Sequence, residues 1–204
     1  MSVPSITVGD TGGLISLAIP VVAPEYHHGD NVEPFGLFLT NYDVTIPQTI
    51  FDELYGLASE ADETLLGNGE SPPKPDSDRL VAAAAAVVTK AEGNGYEVRE
   101  PYAGEEGHDD PPDWDLDGGE TAAIVQANGI EADAMVSDDF KSKTAILRRL
   151  NETTEWLSSF DVLVEMSEGG LVSKREGQAV AEVIVNARNW EEQPYVQKTI
   201  LRRL

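Results

Sequence analysis

Four carboxylates far apart in the chain, Asp10, Glu53, Glu120 and Asp138, each stand where a metal site could use them, and Asp139 adjoins the last. Asp10 closes the apolar run in SITVGDTGGLISLA, and Asp138 closes the one in ADAMVSDDF. Glu53 lies in IPQTIFDELYGLA and Glu120 in LDGGETAAI, both segments of helical character. Oxygen-rich sets of this kind hold hard cations such as Mg²⁺ or Mn²⁺. A divalent ion among carboxylates activates water and neutralises charge growing on a phosphate. The chemistry this pattern predicts is phosphodiester hydrolysis.

Three of these positions also have a plainer reading. Asp10 can cap the helix that follows it. Glu120 can be a first-turn acid favoured by the helix dipole, and Asp138-Asp139 can occupy an ordinary turn. His27 and His28 fall in a loop punctuated by Pro20, Pro24, Gly29 and Pro34, with no third imidazole at a useful spacing. They read as solvated. Other acidic-site chemistries fit less well. An aspartyl-nucleophile phosphatase needs a second Asp where Gly12 stands, and a receiver domain needs an acidic pair on the first strand. Neither a GxxxxGK[ST] phosphate loop nor a GxSxG elbow is present. With no cysteine, thiolate metal sites, disulfides and Cys nucleophiles are excluded.

The elements that must position these acids follow from periodicity. Ile6 to Val8 reads as a strand, Thr11-Gly12-Gly13 as a tight turn, and Leu14 to Ile19 as a helix start. Tyr42 to Ile46 alternates as a second strand, and Pro47 suits a first helical turn. Ile50, Leu54 and Leu57 recur at helical spacing. Asp52 and Glu53 project about 100° apart on that helix, and Glu53, beside the apolar stripe, is the better candidate. The stretch 67–75 (GNGESPPKP) reads as a linker. Asp78 then caps an Ala-rich helix running through Lys90 and ended by Gly93 and Gly95, and Tyr96 to Val98 is a further strand. Between 100 and 117 acids and prolines crowd a loop that holds no Lys or Arg. A helix follows from about Leu116 to Asn128, then a buried strand over Ala132 to Val136. Lys141, Lys143, Arg148 and Arg149 form the densest basic island, placed to meet phosphates of a nucleic acid. The rest reads as helical: one helix over about 158–168, and another started by a Ser173/Glu176 capping box that turns Val180, Val183, Ile184 and Ala187 inward. A basic tail with Lys198, Arg202 and Arg203 closes the chain. Strands alternating with helices predict an α/β domain with a parallel sheet, whose ligands gather beyond the strands' carboxyl ends.

At this point the chain resembles the PIN-domain nucleases, which include VapC-type toxins. VGDTGGLISLA resembles the family's opening strand with its first metal-binding Asp, and IPQTIFDEL the segment bearing the helix Glu. LDGGETAAI resembles the variant in which Gly-Glu starts the third acidic helix, and ADAMVSDDF the strand ending at the fourth acidic position. The resemblance covers about residues 5 to 140. It implies a three-layer α/β/α fold with a central parallel sheet and C-terminal helices, a Mg²⁺ or Mn²⁺ site, and metal-dependent endoribonuclease activity. It places metal or catalytic roles on Asp10, Glu53, Glu120 and Asp138, with Asp139 as an alternate ligand and Thr11 and Ser137 as supporting hydrogen-bonding groups. By this reading 1–150 is the PIN-like domain, with an acidic insertion over about 67–115, and 151–204 is a helical extension packed on it. The toxin of a toxin–antitoxin pair is one form such a protein takes, with a small antitoxin and a homodimer as the implied partners. The alternative is a non-catalytic PIN-like module that binds nucleic acid or protein, since basic residues are sparse.

Composition sets the wider frame. Asp and Glu outnumber Lys and Arg by 37 to 14, for a formal charge of −23. The acids run from end to end, which suits adaptation of the whole surface to a salt-rich cytoplasm. The N-terminal MSVPSITVGD lacks the basic and apolar regions of a signal peptide, and no apolar run is long enough to span a bilayer. A soluble cytoplasmic protein is expected. Molar salt shrinks the Debye length to about 3 Å and so removes most surface self-repulsion. Thermal unfolding should therefore shift upward from low to molar KCl; identical melting curves would contradict salt adaptation.

Overall fold

The computed structural model describes residues 6–23, 26, 32–65, 75–94, 97–99 and 112–204. His27, His28 and most of the linker and acid-rich loop lie outside those residues. Five strands form one sheet: β1 (Ile6–Gly9), β2 (Asp43–Pro47), β3 (Glu97–Arg99), β4 (Ala134–Val136) and β5 (Glu155–Leu157). Their order is β3-β2-β1-β4-β5, and every pairing is parallel. Parallel sheets are covered on both faces, so their strands bury both sets of side chains. Thr7, Val8, Val44, Thr45, Ile46, Met135 and Val136 are accordingly all buried.

The helices are α1 (Thr11–Val22), α2 (Pro34–Asn41), α3 (Gln48–Leu65), α4 (Pro75–Asn94), α5 (Gly118–Gly129), α6 (Lys143–Leu147), α7 (Ser159–Glu168), α8 (Lys174–Arg188) and α9 (Pro194–Arg203). With the sheet they make a three-layer α/β/α fold. α1 packs against α4 and α8, while α5 lies on β1, β2 and β4. Thr11-Gly12-Gly13 is the first turn of α1 and not a turn before it, and its second glycine lets the helix sit close on the sheet. A Cβ on Gly13 would fall 2.8 Å from Val136 Cγ1 and 3.0 Å from the Val136 carbonyl oxygen, so only glycine lets α1 approach β4 this closely.

Several elements differ from the sequence expectation, each for a local reason. Pro20 does not break the first helix but lies buried within the last turn of α1, where only one carbonyl, four residues back, loses its donor. Pro34 starts a helix, α2, because a missing N–H costs nothing at the first position. Pro47 is the last residue of β2, paired in register with Arg99, and α3 begins one residue later. Asp78 falls inside α4, which starts at Pro75. The span beyond Lys143 is not helical throughout. Glu155–Leu157 adds β5 beside β4, with Trp156 opposite Met135. Three residues are too few to show a strand's alternation, so that edge was invisible to periodicity.

The strand order sets where ligands can bind. From β1 the chain moves to β2 on one side, while β4 takes the other side. The crevice beyond the carboxyl ends of β1 and β4 is thus the topological switch point of the sheet. Asp10 follows β1 directly, and its N–H donates to the Val136 carbonyl at 2.9 Å. Asp138 lies two residues past β4. An aromatic group of Phe140, Trp156, Trp190 and Tyr195, with ring centroids 5.2–6.1 Å apart, fixes the end of α8 and the start of α9 beside that crevice. Among the described residues no helix is long and apolar enough to cross a membrane.

Candidate metal centre

The predicted acids share one cleft of about 430 Å³. Asp10, Glu53, Glu120, Asp138 and Asp139 all line it, joined by Asp117. The remaining lining comes from Thr11, Gly12, Phe140, Lys141, Arg188, Trp190 and Gln193.

Asp10 is held by β1 and by its amide bond to β4. It occupies the N-cap position of α1, yet its side chain makes no capping hydrogen bond, so the plainer reading of this residue is not realised. Its carboxyl is buried and takes a hydrogen bond from Ser137. Burial raises its pKa to about 7 against that bond, and the nearby charges of Asp117 and Glu53 push in the same direction.

Glu120 does realise its plainer reading in part. Asp117 and Glu120 form a reciprocal capping box at the start of α5, with the Glu120 N–H donating to Asp117 Oδ1 at 2.7 Å. The return bond, from the Asp117 N–H to Glu120 Oε2, is long at 3.4 Å. The other oxygen, Oε1, is buried with no donor. Burial, then a hydrogen bond with Asp139, raises the Glu120 pKa to about 8. Burial acts upward on Asp139 too, but its bonds with Glu120, Ser142 and Lys141 outweigh it and lower the pKa.

Asp138 anchors a helix. Its Oδ1 accepts from the Ser159 N–H and its Oδ2 from the Ser159 hydroxyl, both at 2.8 Å, at the first turn of α7. Burial raises its pKa, opposed by Ser16, Ser159 and the positive charge of Arg188. Asp139 folds its own loop, with Oδ1 accepting from the Lys141 and Ser142 amides at 2.7 and 2.9 Å.

Glu53, on α3, is exposed and aimed by Thr11, whose hydroxyl donates to Oε2 at 2.6 Å. Its carboxylate lies against Gly119, where a Cβ would come within 2.8 Å of Oε2. The Gly-Gly-Glu run therefore leaves room for the acid of another helix. Ser137 is fully buried under the cleft. Besides serving Asp10, its hydroxyl accepts from the Asp139 N–H at 3.2 Å.

The basic island is divided. Lys141 lines the cleft, whereas Lys143, Arg148 and Arg149 do not. Lys143 lies over the rings of Trp156 and Tyr195, 3.9 and 4.2 Å from their centroids. Arg149 donates to the carbonyls of Ala145 and Trp114 at 3.0 and 2.8 Å. Sequence reasoning missed Asp117, Arg188, Trp190 and Gln193. The spacing of Asp117 and Glu120 spelled a capping box that was legible. Arg188, some fifty residues beyond Asp138, left no local signal.

The lining suits a hard divalent cation in donor type. It carries six carboxylates against the two cations Lys141 and Arg188, and includes the unpartnered Glu120 Oε1. It is not a closed ligand set: among the described residues no three His, Cys, Asp or Glu side chains stand together as a ready-made metal site. No protein-family model, curated protein or solved structure matches the chain.

The raised pKa of Asp10 has a definite consequence. Its neutral form is favoured in the fold, so this contribution to stability is full below about pH 4 and is lost as pH rises through about 7. In divalent-free buffer Asp10→Asn should be more stable than wild type by about 2 kcal/mol at pH 5, rising to about 4 kcal/mol at pH 8. Calorimetric melting at the two pH values checks this, and an equal difference at both would refute it.

Proposed function

We propose that the chain is a PIN-like endoribonuclease dependent on Mg²⁺ or Mn²⁺. The observation that carries the reading is the meeting of Asp10, Glu53, Glu120 and Asp138 in one cleft at the switch point, from four separate elements. Asp10, Glu120 and Asp138, with Asp139 as alternate, would hold the ion. When bound, the ion would lower the pKa of a water and neutralise charge on the phosphate. The protein's own groups supply the rest. Thr11 fixes the Glu53 carboxylate, which would bind a second ion or position the attacking water. Ser137 keeps Asp10 oriented, and Ser159 keeps Asp138 oriented. Lys141, the cleft member of the basic island, pairs with a neighbouring phosphate. Such an enzyme could be the toxin of a pair, neutralised by a small protein that enters the cleft, and could work as a homodimer in a salt-adapted cytoplasm.

A second reading is favoured by two features: both Asp138 oxygens are committed to Ser159, and the acids do not form a ready-made ligand set. On that reading the protein is a PIN-like binding module without catalysis. One comparison separates them. Protein purified in high salt should cleave single-stranded RNA on addition of Mn²⁺, and Asp10→Asn and Asp138→Asn should each lower the rate at least about a hundredfold. Equal background cleavage in all three proteins would favour the binding module.

A further inference from the structure

Arg188 is the last residue of α8, and the way the helix ends determines where its side chain goes. Asn189 adopts the left-handed conformation, φ 54° and ψ 48°, which reverses the chain. The Trp190 N–H then donates back to the Val185 carbonyl at 3.0 Å. The indole folds beside the helix end, and the Arg188 guanidinium lies over it, 4.6 Å from the ring centroid. Held in this way the guanidinium reaches into the cleft. A Cβ on Gly12 would touch Arg188 Nη2 at 3.5 Å, Asp10 Oδ2 at 3.6 Å and Asp138 Cβ at 3.8 Å, so these three side chains surround one small space that a glycine leaves open.

A largely buried arginine needs compensation for lost hydration. The charges that stabilise Arg188 are those of Asp138 and Asp10, and burial still lowers its pKa. Its Nε is buried with no acceptor. The group therefore sits beside the acids without a complete set of hydrogen bonds to fix it there. A charge retained under those conditions answers the negative charge of the cleft as a whole.

We propose that Arg188 is the built-in counter-ion of this cleft, held beside Asp10 and Asp138 by charge in the metal-free protein and competing with the divalent ion for them. The proposal rests on the metal-dependent reading above. A positive charge this close to a dication weakens its binding, even at the high effective dielectric of a partly open site. Arg188 thus keeps the empty site folded and sets how much divalent ion is needed to fill it.

The test is calorimetric titration of Mn²⁺ into divalent-free wild type, Arg188→Gln and Arg188→Met. Both substitutions remove the charge, and Met retains the apolar stem against Trp190, so either variant that folds decides the matter. Wild type should bind Mn²⁺, and the neutral variants should bind at least about tenfold more tightly while melting at lower temperature in EDTA. A purely structural role would lower the melting temperature but would not tighten binding. Variants that bind Mn²⁺ no more tightly than wild type would overturn the counter-ion role and leave the metal-dependent reading standing. No binding by wild type or variants would overturn both.

Discussion

Several carboxylates taken out of water at one edge of a parallel sheet must be neutralised by something, and the rest of this structure is arranged around that need. Removing an ion from water costs several kcal/mol even after the protein relaxes. The cleft meets the cost in three ways without a metal. Protons are retained at Asp10 and Glu120, whose pKa values rise to about 7 and about 8. Serine hydroxyls and a helix amide serve Asp10 and Asp138. Arg188 brings a positive charge from a distant helix. Each is a partial answer, and the donorless Glu120 Oε1 shows where they fall short.

The fold explains why the acids gather at all. Asp10 cannot leave the sheet edge, because its amide belongs to the hydrogen bonding between β1 and β4. Asp138 cannot turn away without releasing the start of α7. Glu120 is fixed by its capping box, and Glu53 enters only because Gly119 has no side chain. The same bonds that make the acids look structural are therefore the ones that aim them at one space. A residue that caps a helix and also faces the cleft does both through different oxygens, as Glu120 illustrates.

Much of this was legible in the sequence, and the omissions have physical causes. Apolar runs ending in Asp10 and Asp138 marked two central strands correctly, because strands buried on both faces are continuous in hydrophobicity. The helical spacing of Ile50, Leu54 and Leu57 marked α3, and Ser173 with Glu176 forms the capping box expected at the start of α8. The prolines misled, since Pro20 and Pro34 act by their position within a helix and not as breaks. Of the basic island only Lys141 lines the cleft. Composition could not tell that Lys143 would rest on aromatic rings or that Arg149 would tie α6 to Trp114. Arg188 was out of reach for a deeper reason: its role comes from where α8 ends in space, and no nearby pattern records that.

The central claim is that the carboxylates of this cleft are starved of positive charge. It is tested most directly by following the side-chain carboxyl ¹³C signals of Asp10 and Glu120 by NMR as pH is raised, with and without Mg²⁺. The account predicts midpoints near 7 and near 8 without divalent ion, and a clear fall in both when Mg²⁺ is added. Midpoints near the ordinary value of about 4 for both groups, unmoved by Mg²⁺, would contradict it.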